Sequence, residues 1–384
     1  RDRLGEWCGW VLVAAAALTP LVGWLAPLGF AVLTALVGAL TLPALRVKAK
    51  DRPVALALLA ALAWAAVSTS WSPYHPKSPA GSTALKLAFY WSAISAARRA
   101  DPKLVRLAFR VLAWGMALLG LMMIAESVTG GEIYQRLHET FYQWIRPDLA
   151  RKNLGQVTFV LALLWPLAAA GGIRAGAPAW LVLPMVAGVA AGGVVFQADA
   201  PAVSLALSLA VGLAVYRLPR AAPRVLAGVT AASFLVAPAI VWAVRDLADF
   251  RLLERDIPLS WTLRVGYWSH ALDWIRAQPL RGWGLDASRA FSPGIQLHPH
   301  DAPLQIWLEL GVVGAVAAAV VWGATLLRLS RRAPDLTAAA AAGSAVVYLL
   351  FAAFNFGVWQ EWWLALGALV AVLATAAPRL SHRP

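Results

Sequence analysis

One cysteine, Cys8, stands in the whole chain, so neither a disulfide framework nor a cysteine-based metal site is available. Charge is scarce too. Of 384 residues, 14% are charged and 60% apolar, which excludes an ordinary soluble domain and places the chain among integral membrane proteins. Acidic side chains are the scarcer sign, 19 against 33 lysines and arginines. No P-loop, zinc-finger or Gly-rich dinucleotide pattern occurs in a strand-to-helix context. The lack of an internal repeat with interrupted helices in matching positions argues against a secondary transporter. The chain opens at Arg1 rather than at Met, and a few residues are expected to precede it.

What the sequence has is apolar length. Runs able to cross a hydrocarbon core about 30 Å thick, at about 20 residues each, fall at 7–25, 27–45, 53–71, 79–97, 103–128, 154–173, 178–197, 200–217, 224–244, 303–327, 336–355 and 358–377. The fold expected is therefore all-α and polytopic, about twelve transmembrane helices with one large loop carrying short helices. Three regions follow: 1–245 with nine helices, the loop 246–302, and 303–384 with the last three. Many of the twenty tryptophans, such as Trp7, Trp71, Trp180 and Trp359, stand near the ends of runs, where an indole suits headgroup depth.

The net charge of +14 does not imply nucleic acid, because orientation against anionic lipid accounts for most of the excess. With a cytoplasmic N-terminus, the inside segments are 1–6, 46–52, 98–106, 174–177, 217–224, 328–335 and the tail. Together they hold nineteen of the 33 basic residues, as the positive-inside rule requires. Two outside segments break the rule. One is 129–153, with Arg136, Arg146, Arg151 and Lys152; the other is the large loop, with seven arginines counting Arg245 and three of the six histidines. Basic residues on that face suggest an anionic ligand; pairing with Asp246, Asp249, Glu254, Asp256 and Asp273, or contact with lipid headgroups, accounts for about half of them.

Within the loop, 260–277 is predicted to be an amphipathic helix. Ser260 is a candidate N-cap, and Trp261, Val265, Trp268, Leu272 and Ile275 recur at helical spacing. Such a helix lies along a membrane surface or over a cavity, and Arg264 is placed to stack on Trp268 while facing a ligand. Pro279 ends the helix, and PLRGWGLD (279–286) supplies glycines for a tight turn. HPHD (298–301) and a further apolar helix follow.

Arg264 with Trp268, the turn at Pro279, Gly282 and Gly284, and the series His300, Asp301, Leu304, Trp307, Glu309, Leu310, Gly311 and Gly314 resemble the O-antigen ligase and polymerase superfamily of bacterial membrane glycosyltransferases. The stretch 151–170 resembles the corresponding segment of ligase-type members. Two departures stand out: Asp301 replaces an Asn found in many members, and QADAPAV (197–203) replaces a Ser-Arg-Gly type motif, leaving the role of Asp199 open. The resemblance implies a GT-C-like fold and an O-antigen ligase in the inner membrane. Such an enzyme moves a glycan from undecaprenyl diphosphate to lipid A core oligosaccharide at the periplasmic face. A polymerase or another oligosaccharyltransferase with the same donor, or a flippase for polyprenol-linked glycans, remains open.

The residues suit that chemistry. A departing diphosphate needs fixed cations or a metal, and arginine forks match phosphate oxygens. Metal-independent catalysis without a cofactor is expected: Asp246 and Asp249, spaced i, i+3, have no histidine partner nearby and suit a helix-end charge pair. His300 is the candidate general base, with Arg264 on the diphosphate. Arg151, Lys152, Arg146, Trp268, Asp301 and Lys86 are candidate substrate contacts. Asp301 either orients His300 or caps the following helix, capping being favoured; His298 and His270 are expected in surface or packing roles. Lys86, Arg110 and Glu126 lie inside apolar runs, where a charge is a functional candidate. Arg110 can snorkel, whereas Lys86 and Glu126 are expected to pair or to line the cavity.

Overall fold

The computed structural model describes residues 2–75, 79–247 and 259–381. Asp249, Arg251, Glu254, Arg255 and Asp256 of the loop lie outside them. Fourteen α-helices are described: α1 Arg3–Leu25, α2 Phe30–Leu40, α3 Arg52–Ser68, α4 Pro79–Arg99, α5 Pro102–Thr129, α6 Glu132–Phe141, α7 Pro147–Arg174, α8 Val182–Val195, α9 Asp199–Arg217, α10 Ala221–Leu247, α11 Leu259–Ala277, α12 Ala302–Leu327, α13 Leu336–Phe354 and α14 Glu361–Ala376. Every one of the twelve apolar runs is helical. Nine helices among the described residues are long and apolar enough to cross a membrane. The runs 27–45 and 178–197 give shorter apolar helices, because Pro27 and Pro178 open single 3₁₀ turns ahead of α2 and α8.

Local chemistry sets the helix starts. Asp2, Asp101, Asp301 and Asp335 are N-caps whose carboxylates accept backbone N–H bonds from the first turn, satisfying donors that have no intrahelical partner. Proline occupies the first turn of α3, α5, α7 and α12, where its missing N–H costs nothing. Helix α7 is apolar on all sides, and nearly every residue from Leu154 to Gly172 is buried, so it forms the axis of the bundle. Helices α1, α5, α8, α13 and α14 pack around it. Helices α3, α10, α11 and α12 form a second group with its own small core, in which Ala237 and Val241 of α10 meet Ala271, Leu272 and Ile275 of α11 and Leu304 and Leu308 of α12.

The basic segments expected on one side gather at one end. Asp51, fully buried, pairs with Arg98 and Arg328 and so joins the start of α3 to the ends of α4 and α12. Arg99 pairs with Asp2, Arg379 donates to the carbonyl of Arg98, and Arg174 and Arg331 share Asp335. At the opposite end lies the loop with α11.

Helix α12 is broken. Gly311 has φ +64° and ψ −159°, which frees backbone groups inside an apolar segment, and these must find partners there. The turn after α11 supplies them. Trp283 N–H donates to the carbonyl of Leu308 at 2.9 Å, Gly284 N–H to that of Glu309 at 2.8 Å, and Val312 N–H to that of Pro279 at 3.0 Å. Trp64 Nε1–H takes the carbonyl of Leu310 at 2.9 Å. The backbones run so close that a Cβ on Gly282 would sit 2.5 Å from the carbonyl group of Glu309, and Gly282 itself has φ +68°. Gly282→Ala should therefore cost about 1–3 kcal/mol from the left-handed backbone alone, more with the clash. A lowered apparent Tm in detergent checks this, against Gly228→Ala in α10, whose Cβ meets nothing within 4 Å and which should leave the Tm unchanged or raise it.

Candidate active site

Helix α11 matches the predicted span 260–277 within one residue. Ser260 is a first-turn residue rather than a cap, and its carbonyl accepts from Arg264 Nη1 at 3.2 Å. Val265, Leu272 and Ile275 of the expected stripe are buried, and Trp268 packs against the same cluster. Arg264 does not stack on Trp268. Its guanidinium lies over Trp261, 5.4 Å from the ring centroid, since one turn back along the helix is the face that its side chain covers. Trp268 instead donates Nε1–H to the carbonyl of Pro299 at 3.0 Å, tying α11 to the histidine segment.

Arg264 borders a cavity of about 610 Å³. Its walls are Lys152 and Gln156 of α7, Gln197 and Asp199 at the start of α9, Ser260 and Trp261 of α11, and Phe354, Asn355 and Phe356 after α13. The segment 197–203 thus reaches this site even without an arginine, and Asp199 gives it a carboxylate. The other described arginines of the loop are occupied. Arg245 pairs with Asp246 and Asp273, Arg276 with Asp246, and Arg289 with Asp286, while Arg281 donates to Gln278 and lies over Trp71. Asp246 is thus a helix-end charge pair. Arg264 has no carboxylate partner among the described residues, its Nε is buried without a hydrogen bond, and burial draws its pKa below the ordinary arginine value.

Three candidates fall elsewhere. Arg146 makes a two-point contact with Asp148, 3.0 and 2.8 Å, on the exposed start of α7, and Arg136 pairs with Glu132 within α6. Arg151 is exposed and does not line the cavity with its neighbour Lys152, because adjacent helical residues point about 100° apart. Lys86 pairs with Glu361 of α14 and lines a different cavity, and Glu126 accepts from Trp24 Nε1 at 3.2 Å, so Lys86 and Glu126 do not pair with one another. Arg110 reaches the carbonyl of Ala175.

His300 is held on several sides. Its Nδ1 lies 3.0 Å from the carbonyl oxygen of Asn355, an acceptor that fixes the proton on Nδ1 and leaves the lone pair on Nε2. Tyr267 of α11 stacks over the ring, centroids 6.2 Å apart. Burial first, and the nearby Arg264 charge also, lower the His300 pKa, while the Asn355 contact opposes them, so the imidazole is neutral at pH 7. His298, expected in a packing or surface role, is 5% exposed; its ring sits 4.2 Å from that of His300, and its Nδ1 accepts the His300 backbone N–H at 3.2 Å. Burial lowers its pKa to about 3, so it stays uncharged. Leu297 and His300 both take positive φ, 65° and 54°, which coils HPHD tightly enough to bring the rings together.

Beneath the histidines, Glu309 is fully buried. It accepts from Asp286 N–H at 3.0 Å, Ser288 Oγ–H at 2.7 Å, Gln305 Nε2–H at 3.1 Å and Trp359 Nε1–H. In the sequence Glu309 enters only through the series that carries the family resemblance, although a carboxylate within the run 303–327 is itself a signal; for Asn355 there is none. Asp301 caps α12, accepting from Leu304 N–H at 2.9 Å, and burial raises its pKa to about 7.

Residues 185–319, from α8 to the middle of α12, match the family model described as O-Antigen ligase. A protein of Rickettsia conorii named "Putative polysaccharide ligase" is 27% identical over 124 residues, 29% of this chain and 30% of its own length. One of Rickettsia felis with the same name is 25% identical over 143 residues, 34% of each chain. The chain spans about a third of the length of these relatives. The matched region holds Arg264, His298, His300, Asp301 and Glu309, and the resemblance drawn from those residues is borne out.

A raised carboxyl pKa means that the folded state holds a proton which the unfolded state has released, so the Asp301 contribution is lost as pH rises from about 4 through about 7. Asp301→Asn keeps the cap without a charge. The apparent Tm of the variant should gain on wild type as pH rises from about 4 to about 7 and level off above that; a difference independent of pH would count against a raised pKa.

Proposed function

We propose that the chain is an O-antigen ligase, transferring a glycan from undecaprenyl diphosphate to a hydroxyl of lipid A core oligosaccharide at the periplasmic face of the inner membrane. The observation that carries this reading is Arg264, without a carboxylate partner among the described residues, on the wall of a cavity whose Asn355 also holds the neutral His300 through its carbonyl. The glycan-linking chemistry agrees with the family match over 185–319. The charge pattern of the short loops supports the orientation.

In the reaction the acceptor hydroxyl gives its proton to His300 Nε2 as its oxygen bonds to the anomeric carbon of the donor. The bond from that carbon to the diphosphate oxygen breaks, and the negative charge gathers on the diphosphate. Arg264 and Lys152 border the cavity beside which that charge gathers, and cations fixed near a developing charge stabilise it. The Asn355 carbonyl stabilises the imidazolium that forms, because it already receives the Nδ1 proton. Tyr267 and His298 hold the ring in place. Trp268, placed against the histidine loop rather than in the cavity, acts by positioning. The polyprenyl chain leaves sideways between helices.

His300→Ala should lower transfer by about two to four orders of magnitude while donor binding persists, in an assay of purified protein with carrier-linked glycan and lipid A core that reads the covalent product. Arg264→Lys keeps the charge but loses the fork; it should be clearly impaired and Arg264→Ala more so, and normal turnover by both would remove Arg264 from the site. The same assay separates a ligase from a polymerase, which would extend the donor glycan, and from a flippase, which would form no new bond.

Fixed cations predict independence from metal. Transfer should survive excess EDTA with little change in kcat, whereas departure of the diphosphate assisted by a divalent ion would stop.

A further inference from the structure

Three short loops meet at the basic end of the molecule, opposite the loop with α11. Segments 174–177, 217–224 and 328–335 hold seven arginines and one carboxylate, Asp335. Arg174 pairs with Asp335 at 3.0 Å and Arg331 shares it at 3.6 Å, while Arg328 is taken by Asp51. Arg217, Arg220, Arg224 and Arg332 are exposed and have no ion pair among the described residues. The Arg331 N–H donates to the carbonyl of Pro219 at 2.9 Å, and this bond and the Arg174–Asp335 bridge hold the three loops against one another.

Between the helices that these loops join lies an apolar cavity of about 380 Å³. Its walls include Trp165 and Ile173 of α7, Leu213 and Tyr216 of α9, and Leu336 and Ala340 of α13. Ile173, Tyr216 and Leu336 are the chain neighbours of Arg174, Arg217 and Asp335, so one end of the cavity lies at the arginines. From Trp165 to Ile173 it follows α7 for about 12 Å, eight residues at about 1.5 Å each. Leu209 and Leu213 of its α9 wall are more than half exposed, which leaves its flank open to the bilayer.

We propose that this cavity and its arginines bind one anionic phospholipid, with an acyl chain between α7, α9 and α13 and the phosphate among Arg217, Arg220 and Arg332. The site is remote from Arg264 and does not rest on the transfer reading. Basic loops alone orient helices against anionic lipid without selecting any one molecule. A cavity beneath them adds a fixed place for the chain, and basic pockets between membrane helices suit anionic headgroups. Guanidinium forks match phosphate oxygens. A zwitterionic lipid would fill the apolar part equally well, but it would bring an ammonium group to an end already carrying four uncompensated cations. The polyprenyl tail of a donor would use the walls and leave the arginines without a partner.

The test is a lipid titration of the full chain in detergent, read by native mass spectrometry, with phosphatidylglycerol and phosphatidylethanolamine as probes. Wild type should retain one phosphatidylglycerol roughly tenfold or more tighter than phosphatidylethanolamine. The double variant Arg217→Gln with Arg332→Gln, which alters exposed side chains only, should bring the two lipids to within about threefold. Gly212→Leu fills the cavity, since the nearest atom to an added Cβ there is the Ala339 carbonyl oxygen at 3.5 Å; it should weaken phosphatidylglycerol roughly fivefold or more, and Ala169→Leu is a second filling variant should the first fail to fold. Unchanged phosphatidylglycerol affinity in the filled variants would overturn the site in favour of loose contact with the loops. A preference that survives loss of Arg217 and Arg332 would overturn it too, as would displacement of the bound phosphatidylglycerol by undecaprenyl phosphate at equal concentration, which would give the cavity to a polyprenyl chain.

Discussion

The break at Gly311 is the constraint on which the loop end of the molecule depends. Backbone groups freed inside an apolar helix have no water to turn to, and the 279–286 turn is bound to α12 because, with Trp64 of α3, it carries the N–H and carbonyl groups that close the gap. Fixing that turn fixes the end of α11, from which it springs. It also presents Asp286 and Ser288 to Glu309, so that one buried carboxylate joins the loop, α12 and the 355–360 segment. Both sides of the His300 environment, Tyr267 on α11 and Asn355 after α13, are positioned by this arrangement.

Electrostatic economy gives the site its character. The loop is rich in arginine, yet nearly every described guanidinium there is spent on a carboxylate, an amide or an aromatic face. Arg264, which lies over Trp261 and reaches only the Ser260 carbonyl, has no carboxylate or amide side-chain partner among the described residues. It is partly desolvated, a state in which an anion is attractive and water is a poor substitute. The histidines are treated oppositely. Burial and proximity to cations keep both neutral, which holds a proton acceptor ready beside a centre of positive charge.

Much of the fold was legible because bilayer thickness writes itself into run length. All twelve runs became helices, and the α11 boundaries followed from Pro279 and an apolar stripe. The count of nine long spans against twelve runs reflects prolines that shorten two of them, a local effect that hydropathy averages over, and the third, α4, which is long enough but too polar. The site was half legible. Arg264, Lys152 and His300 announced themselves as charges or a base out of place, whereas Arg146 and Arg151 carried the same signal and proved peripheral, because helical phase decides which of two neighbours faces inward. Asn355 contributes through its backbone carbonyl and so leaves no mark in side-chain chemistry. His298 could not be told from a surface histidine until the left-handed turn at Leu297 and His300 brought the rings together.

The order of the chain gives the Glu309 cluster a further meaning. Synthesis runs from the N-terminus, and a carboxylate entering the bilayer alone is costly. Asp286, Ser288 and Gln305 all precede Glu309 in the sequence, so three of its four donors already exist when it emerges from the ribosome. Trp359 follows fifty residues later. Insertion of α12 can thus proceed with a nearly satisfied acid carried in by its own loop, and the last donor arrives only after α13, just ahead of α14.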